Sequence, residues 1–198
     1  LDTDAVFLLI PGIIVFNIAA ESIGGAVSCV RNNKSYVKKL VFPLEILAAT
    51  IVGSGVVQGL IGLLVLVSMN LIATGKIHAL CILTPIAWIP LVMTCLGVTW
   101  ILSSIGTYIK DTEIIIPPLI SSLMFLSAVF YPISALPGKA QSIVSLNIVA
   151  LAIEETRQLV LVGELPDLKV FIMASLMSII FAEFGYRIFK KLEKGFAD

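Results

Sequence analysis

The sequence predicts an all-α integral membrane protein, a polytopic helical bundle in a single domain. Hydrophobic residues make up 59% of its 198 residues and charged residues only 13%, and the mean hydropathy is +1.08. Soluble domains are about half apolar and about a quarter charged, so this chain has too little polar surface for a soluble globule. Its charges are also clustered, and the runs between the clusters are long enough to cross a bilayer.

Five runs with little or no charge predict membrane-spanning helices. The clearest separates Glu45 from Lys76 by thirty uncharged residues, whereas a helix needs about 20 apolar residues to cross the hydrocarbon core. These runs are continuously apolar, which favours helices over the alternating strands of a barrel. The predicted spans cover residues 5–30, 46–74, 79–109, 114–132 and 170–189.

Three polar residues inside the spans are candidates for function, because ionisable groups are costly in hydrocarbon. Arg187 follows Glu183 by four residues, which predicts a helical ion pair, with a partner on another helix as the alternative. Asn17 and Glu21 form a stripe with the Gly24–Gly25 pair. We interpret this stripe as helix packing or pore lining rather than a proton relay, because no chain of ionisable groups accompanies it.

Three glycines in the second span predict a close contact between helices. Gly55 and Gly59 form a GxxxG step, and Gly62 follows on the same helix. Small residues at this spacing let helix backbones approach each other in a membrane. The partner is either another helix of this chain or a second copy of it.

The 13 basic and 13 acidic residues cancel to a net charge of +0, which argues against a strongly basic nucleic-acid binder. The basic residues are nevertheless uneven across the predicted membrane. Nine fall on one side: Arg31, Lys34, Lys38, Lys39, Lys110, Arg187, Lys190, Lys191 and Lys194. Four fall on the other: Lys76, Lys139, Arg157 and Lys169. The positive-inside rule therefore places segment 31–43 and the C-terminus in the cytoplasm, and with Leu1 then outside we expect a further span to precede it.

The segment between Pro132 and Asp167 is too apolar for a solvated loop. Its uncharged run, 140–153, is too short to span. Two short helices that enter the outer leaflet and return would fit, since irregular backbone at that depth is tolerated when it lines a cavity. An amphipathic helix lying on the outer surface is the alternative.

Motifs for catalysis or metal binding are missing from the sequence. His78 is the only histidine, and the three cysteines form no CxxC pair. Neither Gly-Lys pair, at 75–76 or at 138–139, completes a phosphate-binding loop. We therefore predict that the chain is not an enzyme and has no catalytic or metal-binding residues. If ATP drives transport, another polypeptide binds it.

Segment 31–43, RNNKSYVKKLVFP, is basic and lies between two predicted spans. Tyr36, Val37 and Leu40 have the spacing of one helical face, which predicts a short amphipathic helix at the membrane surface. Binding to anionic lipid and docking of a cytoplasmic partner both remain open.

The order of several short motifs resembles a known family. The Gly12-Ile13-Ile14 span precedes NKSYVKKLVFP at 33–43, and YIKD at 108–111, SAVFYP at 127–132, Leu136-Pro137, Leu146-Asn147, and Glu155 with Arg157 follow. This order resembles the membrane subunit of type-2 ABC exporters, in the branch that exports O-antigen, capsular polysaccharide and teichoic acid. The resemblance extends over essentially the whole chain.

The resemblance implies six spans and a homodimer in the bacterial cytoplasmic (inner) membrane, bound by two ATPase subunits that hold ATP and Mg. Its cargo would be a lipid-linked glycan. Segment 31–43 would be the coupling helix that contacts the ATPase, through Asn33, Lys34, Tyr36, Val37, Lys38, Lys39 and Leu40. Segment 135–161 would form re-entrant gate helices, and the outer gate would involve Phe130, Tyr131, Glu154, Glu155 and Arg157.

Two other functions remain open. A drug or small-lipid exporter of the same superfamily would share the topology with a narrower cavity. A membrane-embedded glycosyltransferase or polymerase would need paired acidic residues, and Glu154–Glu155 is the only candidate pair. Adjacent residues on a helix point about 100° apart, which makes a poor two-carboxylate site.

Overall fold

The computed structural model describes residues 3–32, 44–109, 111–193 and 195, and every regular element in these ranges is a helix. In chain order the α-helices are α1 (Thr3–Asn32), α2 (Glu45–Thr74), α3 (Thr84–Ala87), α4 (Ile89–Tyr108), α5 (Thr112–Leu126), α6 (Gly138–Val144), α7 (Ile148–Arg157) and α8 (Leu168–Glu193). Short 3-10 helices cover Ala79–Leu83 and Ile133–Ala135, and a π-helix covers Gln158–Val162. The predicted all-α bundle is confirmed.

Four helical stretches in the described residues are long and apolar enough to cross a membrane: Phe7–Val30, Glu45–Thr74, Ala79–Tyr108 and Leu168–Glu193. They coincide with four of the predicted spans. Large apolar side chains cover their outer surfaces, and Ile72, for example, is 85% exposed. Apolar surface of this extent is stable only against lipid or another protein. The chain is therefore a multi-pass integral membrane protein.

The predicted span at 114–132 needs correction, because helix α5 ends at Leu126. Its 15 residues rise about 22 Å, less than the roughly 30 Å of a hydrocarbon core. The helix stops because Ala128 adopts a φ of 54°, which an α-helix cannot accommodate. The side-chain amide of Asn147 donates a hydrogen bond to the Leu126 carbonyl at 3.2 Å, which satisfies one of the free carbonyls at this helix end.

Helix α1 lies at the centre of the bundle and packs against α2, α4, α5 and α7, while α8 packs mainly against α4. Gly55, Gly59 and Gly62 of α2 face α1. A Cβ built on Gly55 would lie 3.2 Å from the Ile18 carbonyl oxygen, and one on Gly59 would lie 2.6 Å from the Ile18 side chain. The GxxxG step therefore mediates packing within the chain.

The two ends of the bundle carry different polar contacts. At one end, the Arg157 end, the Arg157 Nε donates to the carbonyl of Leu8 near the start of α1 at 3.1 Å. At the opposite end, the Lys190 end, the Lys190 Nζ lies 2.8 Å from a carboxylate oxygen of Glu45 at the start of α2. The predicted Glu183–Arg187 ion pair is confirmed on α8, with a separation of 2.7 Å.

Segment 33–43 joins α1 to α2 and lies outside the described residues. The same holds for all seven residues predicted to contact an ATPase, which are Asn33, Lys34, Tyr36, Val37, Lys38, Lys39 and Leu40. Segment 135–161 contains the two predicted short helices, α6 and α7, followed by the π-helix. Their depth in the membrane remains a prediction.

Candidate functional site

The most concentrated polar site surrounds Arg157, the last residue of α7, which is only 4% exposed. Its guanidinium donates hydrogen bonds to four backbone carbonyls at 3.1–3.2 Å, those of Leu8, Ala128, Val129 and Tyr131. The Nη1 also lies 3.3 Å from a carboxylate oxygen of Glu154. A planar guanidinium has five N–H donors in a fixed fork, so one side chain joins α1, α7 and the loop after α5.

The loop after α5 turns its carbonyls inward, toward Arg157. Ala128 and Val129 are fully buried, and the positive φ of Ala128 reverses the chain direction just after α5. Gly12 of α1 permits this approach, because a Cβ there would lie 2.6 Å from the Val129 carbonyl oxygen. A separation below 3.0 Å from backbone forces the structure to shift. Gly12 therefore lets the loop lie directly on α1.

Asn147 fixes the start of α7 to the end of α5. Its side-chain oxygen accepts a hydrogen bond from the Val149 backbone N–H at 2.9 Å, which caps the helix. Its amide nitrogen donates to the Leu126 carbonyl and to the Ser127 hydroxyl at 3.2 and 3.1 Å. One side chain thus fixes the angle between the two helices.

A second buried contact joins α7 to the junction between α3 and α4. The indole Nε1 of Trp88 donates to the hydroxyl of Thr156 at 2.9 Å, and both side chains are almost completely buried. Asn70 of α2 adds a weaker bond to the Val160 carbonyl at 3.3 Å. Helix α7 and the π-helix after it are therefore attached to α1, α2 and α3 together.

The structure brings some of the predicted gate residues together. The carbonyl of Tyr131 and the carboxylate of Glu154 both accept from Arg157, and the Tyr131 hydroxyl donates to the Phe125 carbonyl at 2.7 Å. Phe130 is 42% exposed and packs against Phe125, with ring centroids 5.7 Å apart. Arg157 itself is buried, so it does not behave as the exposed basic loop residue assumed in the charge count.

Glu155 lies apart from this network. It is only 3% exposed, and neither carboxylate oxygen accepts a hydrogen bond from the part of the chain that the structure describes. Burial raises the pKa of this carboxyl to about 7, because removal from water disfavours the charged form. Glu154 and Glu155 therefore occupy different environments, as expected for neighbours on a helix.

The predicted polar stripe on α1 faces away from the core. Asn17 is exposed and Glu21 is partly exposed, whereas Ile18 and Ser22, next to them in the chain, are fully buried. The stripe continues to Gly24, where a Cβ would lie 3.6 Å from the Ile120 side chain of α5. An exposed asparagine and a partly exposed glutamate thus lie in the middle of an apolar 24-residue stretch.

Several residues at this site were not predicted from the sequence. An asparagine before an apolar helical run is a recognisable cap signal, so the capping role of Asn147 had a local signature. The bond between Trp88 and Thr156 joins residues 68 positions apart and has none. Among the described residues, no three His, Cys, Asp or Glu side chains are grouped so that they could hold a metal ion.

The sequence matches one known family. A family model described as ABC-2 type transporter matches residues 3–161, from the start of α1 to the π-helix, so the match includes the Arg157 site and the polar stripe. Among curated proteins, none matches the chain.

Proposed function

The chain belongs to the ABC-2 type transporter family, and we propose that it exports a lipid-linked polysaccharide of the O-antigen, capsule or teichoic acid type across the bacterial cytoplasmic (inner) membrane. Membership makes it the permease subunit of an exporter and implies an ATP-binding partner subunit. The proposal adds the identity of the cargo, the number of copies of each subunit, and the path that the cargo takes through the membrane. In it the partner binds ATP and Mg, and this chain breaks no bond in the cargo.

The polar stripe on α1 is the observation that carries the proposal. Asn17 and Glu21 lie in the middle of a membrane-spanning helix, yet in the part of the chain that the structure describes Asn17 is exposed and Glu21 is only partly covered. A carboxylate in lipid is costly, so such groups face a protein interface or a water-filled path. A glycan is rich in hydroxyl groups and requires a hydrated path. The stripe would supply hydrogen-bonding groups along that path.

A second copy of the chain would complete the path. Helix α5 borders the stripe and leaves large apolar side chains uncovered, including Ile114 at 76% and Phe125 at 66% exposure. Two copies facing each other across α1 and α5 would cover this surface and enclose the polar stripes between them. The proposed assembly is therefore a homodimer. It would bind two ATPase subunits, one for each copy of the chain.

The Arg157 end would form the outer gate. Exposed Phe125 and Phe130 lie next to the buried guanidinium network, and aromatic rings offer sugar rings an apolar face for packing. Arg157 would hold the loop and α7 in one arrangement while the aromatic side chains meet the cargo. In this arrangement the loop and α7, fixed by Arg157, hold the exposed aromatic side chains in place.

The Lys190 end would face the cytoplasm and the ATPase. Arg187, Lys190 and Lys191 lie there on the last turns of α8, and the basic segment 33–43 joins α1 to α2 at the same end. The positive-inside rule supports this orientation and a cytoplasmic C-terminus. Segment 33–43 would act as the coupling helix that receives movement from the ATPase.

Reconstitution tests the proposed function. The chain is purified with a co-expressed candidate ATPase from the same cell, and both are placed in vesicles containing undecaprenyl-linked polysaccharide. We expect the glycan to move across the bilayer only while ATP is hydrolysed. An ATPase variant that binds but cannot hydrolyse ATP is the control. Equal movement with that variant, or no movement with the active ATPase, would contradict the proposal.

A drug or small-lipid exporter is the second candidate function, supported by the largely apolar exposed face of α5. The two candidates predict different cargo in cells that lack the protein. Loss of a polysaccharide exporter leaves undecaprenyl-linked glycan inside the cell. Loss of a small-molecule exporter leaves glycan export intact and changes sensitivity to apolar compounds. A glycosyltransferase role is the least supported, since Glu154 is paired with Arg157 and Glu155 is buried.

A further inference from the structure

The two described chain ends that flank segment 33–43 meet at one residue of α8. Val30 lies near the end of α1, and Leu44 directly follows the segment. Both are buried against Phe189, which is fully buried itself. Leu47 and Trp100 complete this small cluster. Phe189 therefore contacts the chain on both sides of the segment.

Lys190, the next residue, adds an ionic contact at the same place. Its Nζ lies 2.8 Å from a carboxylate oxygen of Glu45 and 2.9 Å from one of Glu193. The backbone carbonyl of Glu45 accepts a hydrogen bond from Trp100 Nε1 at 3.2 Å. The first residue of α2 is thus held by side chains from both α4 and α8.

Tyr186 and Tyr108 strengthen this contact. The rings of Trp100 and Tyr186 pack edge to face with centroids 5.2 Å apart, and the Lys190 Nζ lies 5.9 Å from the Tyr186 ring centre. Tyr108, at the end of α4, donates from its hydroxyl to the Leu192 carbonyl at 3.0 Å. The last two turns of α8 are therefore fixed to the ends of α2 and α4.

Away from this end, α8 contacts α4 rather than α2. Gly97 and Gly185 face each other so closely that a Cβ on Gly97 would lie 3.0 Å from the Phe181 carbonyl oxygen, and one on Gly185 would clash with the Gly97 backbone. The two helices are therefore in backbone contact at these glycines. At the Lys190 end, α8 also contacts the start of α2 through the Lys190–Glu45 pair.

The first turn of α8 lies near the opposite end of the bundle. A cavity of about 210 Å³ is lined there by Leu168 and Phe171 of α8, by Leu83 and Ile86, and by Leu159, two residues after Arg157. The 26 residues of α8 span about 39 Å. A single helix thus extends from the segment junction to the neighbourhood of the Arg157 site.

From these contacts we propose that Phe189 and Lys190 form a mechanical relay, which transmits displacement of segment 33–43 through α8 and α4 to the Arg157 end. They are positioning residues and do not touch the cargo. The relay rests on the proposed function, since it requires that an ATPase moves segment 33–43. In this relay the Glu45–Lys190 pair makes α2 and α8 move together. Phe189 holds the end of α1 next to the start of α2 through Val30 and Leu44.

Removal of the Lys190 charge tests the relay. The variants are Lys190→Met, which keeps the apolar stem, and Lys190→Arg, which keeps the charge. Lys191→Met is the matched control, because Lys191 is the adjacent residue, carries the same charge and is exposed. Each is reconstituted with the ATPase, and ATPase binding, ATP hydrolysis and glycan moved per ATP are measured separately.

We expect Lys190→Met to bind the ATPase and hydrolyse ATP normally but to move several-fold less glycan per ATP. Lys190→Arg should recover most of that loss, which a general loss of folding would not allow. If Lys190→Met moves as much glycan per ATP as Lys191→Met, the relay is wrong while the proposed function stands. An unaltered chain that fails to bind any ATPase would overturn both.

Discussion

Arg157 and Leu8 are 149 positions apart in the chain, yet the Arg157 Nε donates to the Leu8 carbonyl at 3.1 Å. The contact joins the end of α7 to the start of α1, and the same guanidinium holds the loop that follows α5. A cation that satisfies buried backbone carbonyls fixes three separate segments at one point. This makes the region around α7 a rigid base for the exposed aromatic residues beside it.

Replacement of Arg157 is expected to destabilise the protein strongly. Arg157→Met leaves four carbonyls, two of them on fully buried residues, and the Glu154 carboxylate without this donor, and removal of one partner from a buried ionic network costs about 3–5 kcal/mol. Arg157→Lys should recover little, because an ammonium lacks the planar fork that reaches several carbonyls. Thermal unfolding of the purified protein in detergent measures both variants.

Arg187→Met is the control for Arg157. Arg187 also lies within hydrogen-bonding distance of a glutamate, but its side chain is 76% exposed. Exposed ion pairs contribute about 0–1 kcal/mol, so the unfolding temperature should change little. Equal losses at the two positions would show that the Arg157 network contributes no more than a surface pair.

Glu155 should make stability dependent on pH. Its pKa is raised by burial from 4.5 to about 7 in the folded chain. Below pH 4.5 the carboxyl is protonated in the folded and unfolded states, and its ionisation costs no stability. Between pH 4.5 and about 7 only the unfolded state releases the proton, so stability falls as pH rises. Above about pH 7 the cost is complete, at about 3 kcal/mol.

Glu155→Gln removes that dependence, because the amide does not ionise. The variant should gain stability over the unaltered protein at about pH 8 and lose the advantage at about pH 4. Unfolding temperatures of both proteins are measured across this pH range, and the difference between them is plotted against pH. Glu164→Gln is the control, since it makes the same substitution at an exposed position. A flat difference curve for Glu155→Gln would place its carboxyl in contact with water.

Gly12 and Gly53 make a matched pair for testing how closely the loop approaches α1. Gly12→Ala places a methyl group 2.6 Å from the Val129 carbonyl oxygen, so the loop must move, and overpacking of this kind costs about 1–3 kcal/mol. A methyl group on Gly53 meets nothing within 4 Å, and alanine favours a helix by up to about 1 kcal/mol. Unfolding temperatures should therefore shift in opposite directions. Equal shifts would contradict the close contact.

The spans could be predicted because they depend on local composition. An uncharged run such as the one between Glu45 and Lys76 can reach low free energy only as a helix in lipid, whatever its neighbours are. The length of α5 could not be predicted in this way. Its end depends on a positive φ at Ala128, a residue that gives no sequence signal for that conformation.

The Arg157 site was only partly predictable for a related reason. The resemblance drew attention to Arg157 and Glu154, but the partners of the guanidinium are mostly backbone carbonyls, which every residue has. Helical geometry predicted that Glu154 and Glu155 diverge, although not which of the two is buried. The Glu45–Lys190 contact joins residues 145 positions apart, and charge patterning within a single helix cannot reveal it.

Asn17 should be needed for transport and not for folding. Asn17→Leu replaces an exposed polar group in a membrane span by an apolar one, which in lipid is neutral or stabilising. If the stripe lines the path, glycan moved per ATP should fall several-fold while the unfolding temperature holds or rises. Ser68→Leu is the control, because Ser68 is an exposed hydroxyl on α2, outside the proposed path. Unchanged transport by Asn17→Leu would place the stripe against lipid.

The charges of segment 33–43 should determine binding of the ATPase. Reversal of Lys38 and Lys39 to glutamate changes the local charge by about four units, and steering by a charged surface depends strongly on such a change. We expect loss of ATPase co-purification at low salt, with normal expression and unfolding temperature. Reversal of Lys139 and Lys169, two basic residues predicted to lie on the opposite side of the membrane, is the control. If the ATPase still co-purifies after reversal of Lys38 and Lys39, these lysines are not needed for binding. Another cytoplasmic part of the chain would then contact the ATPase.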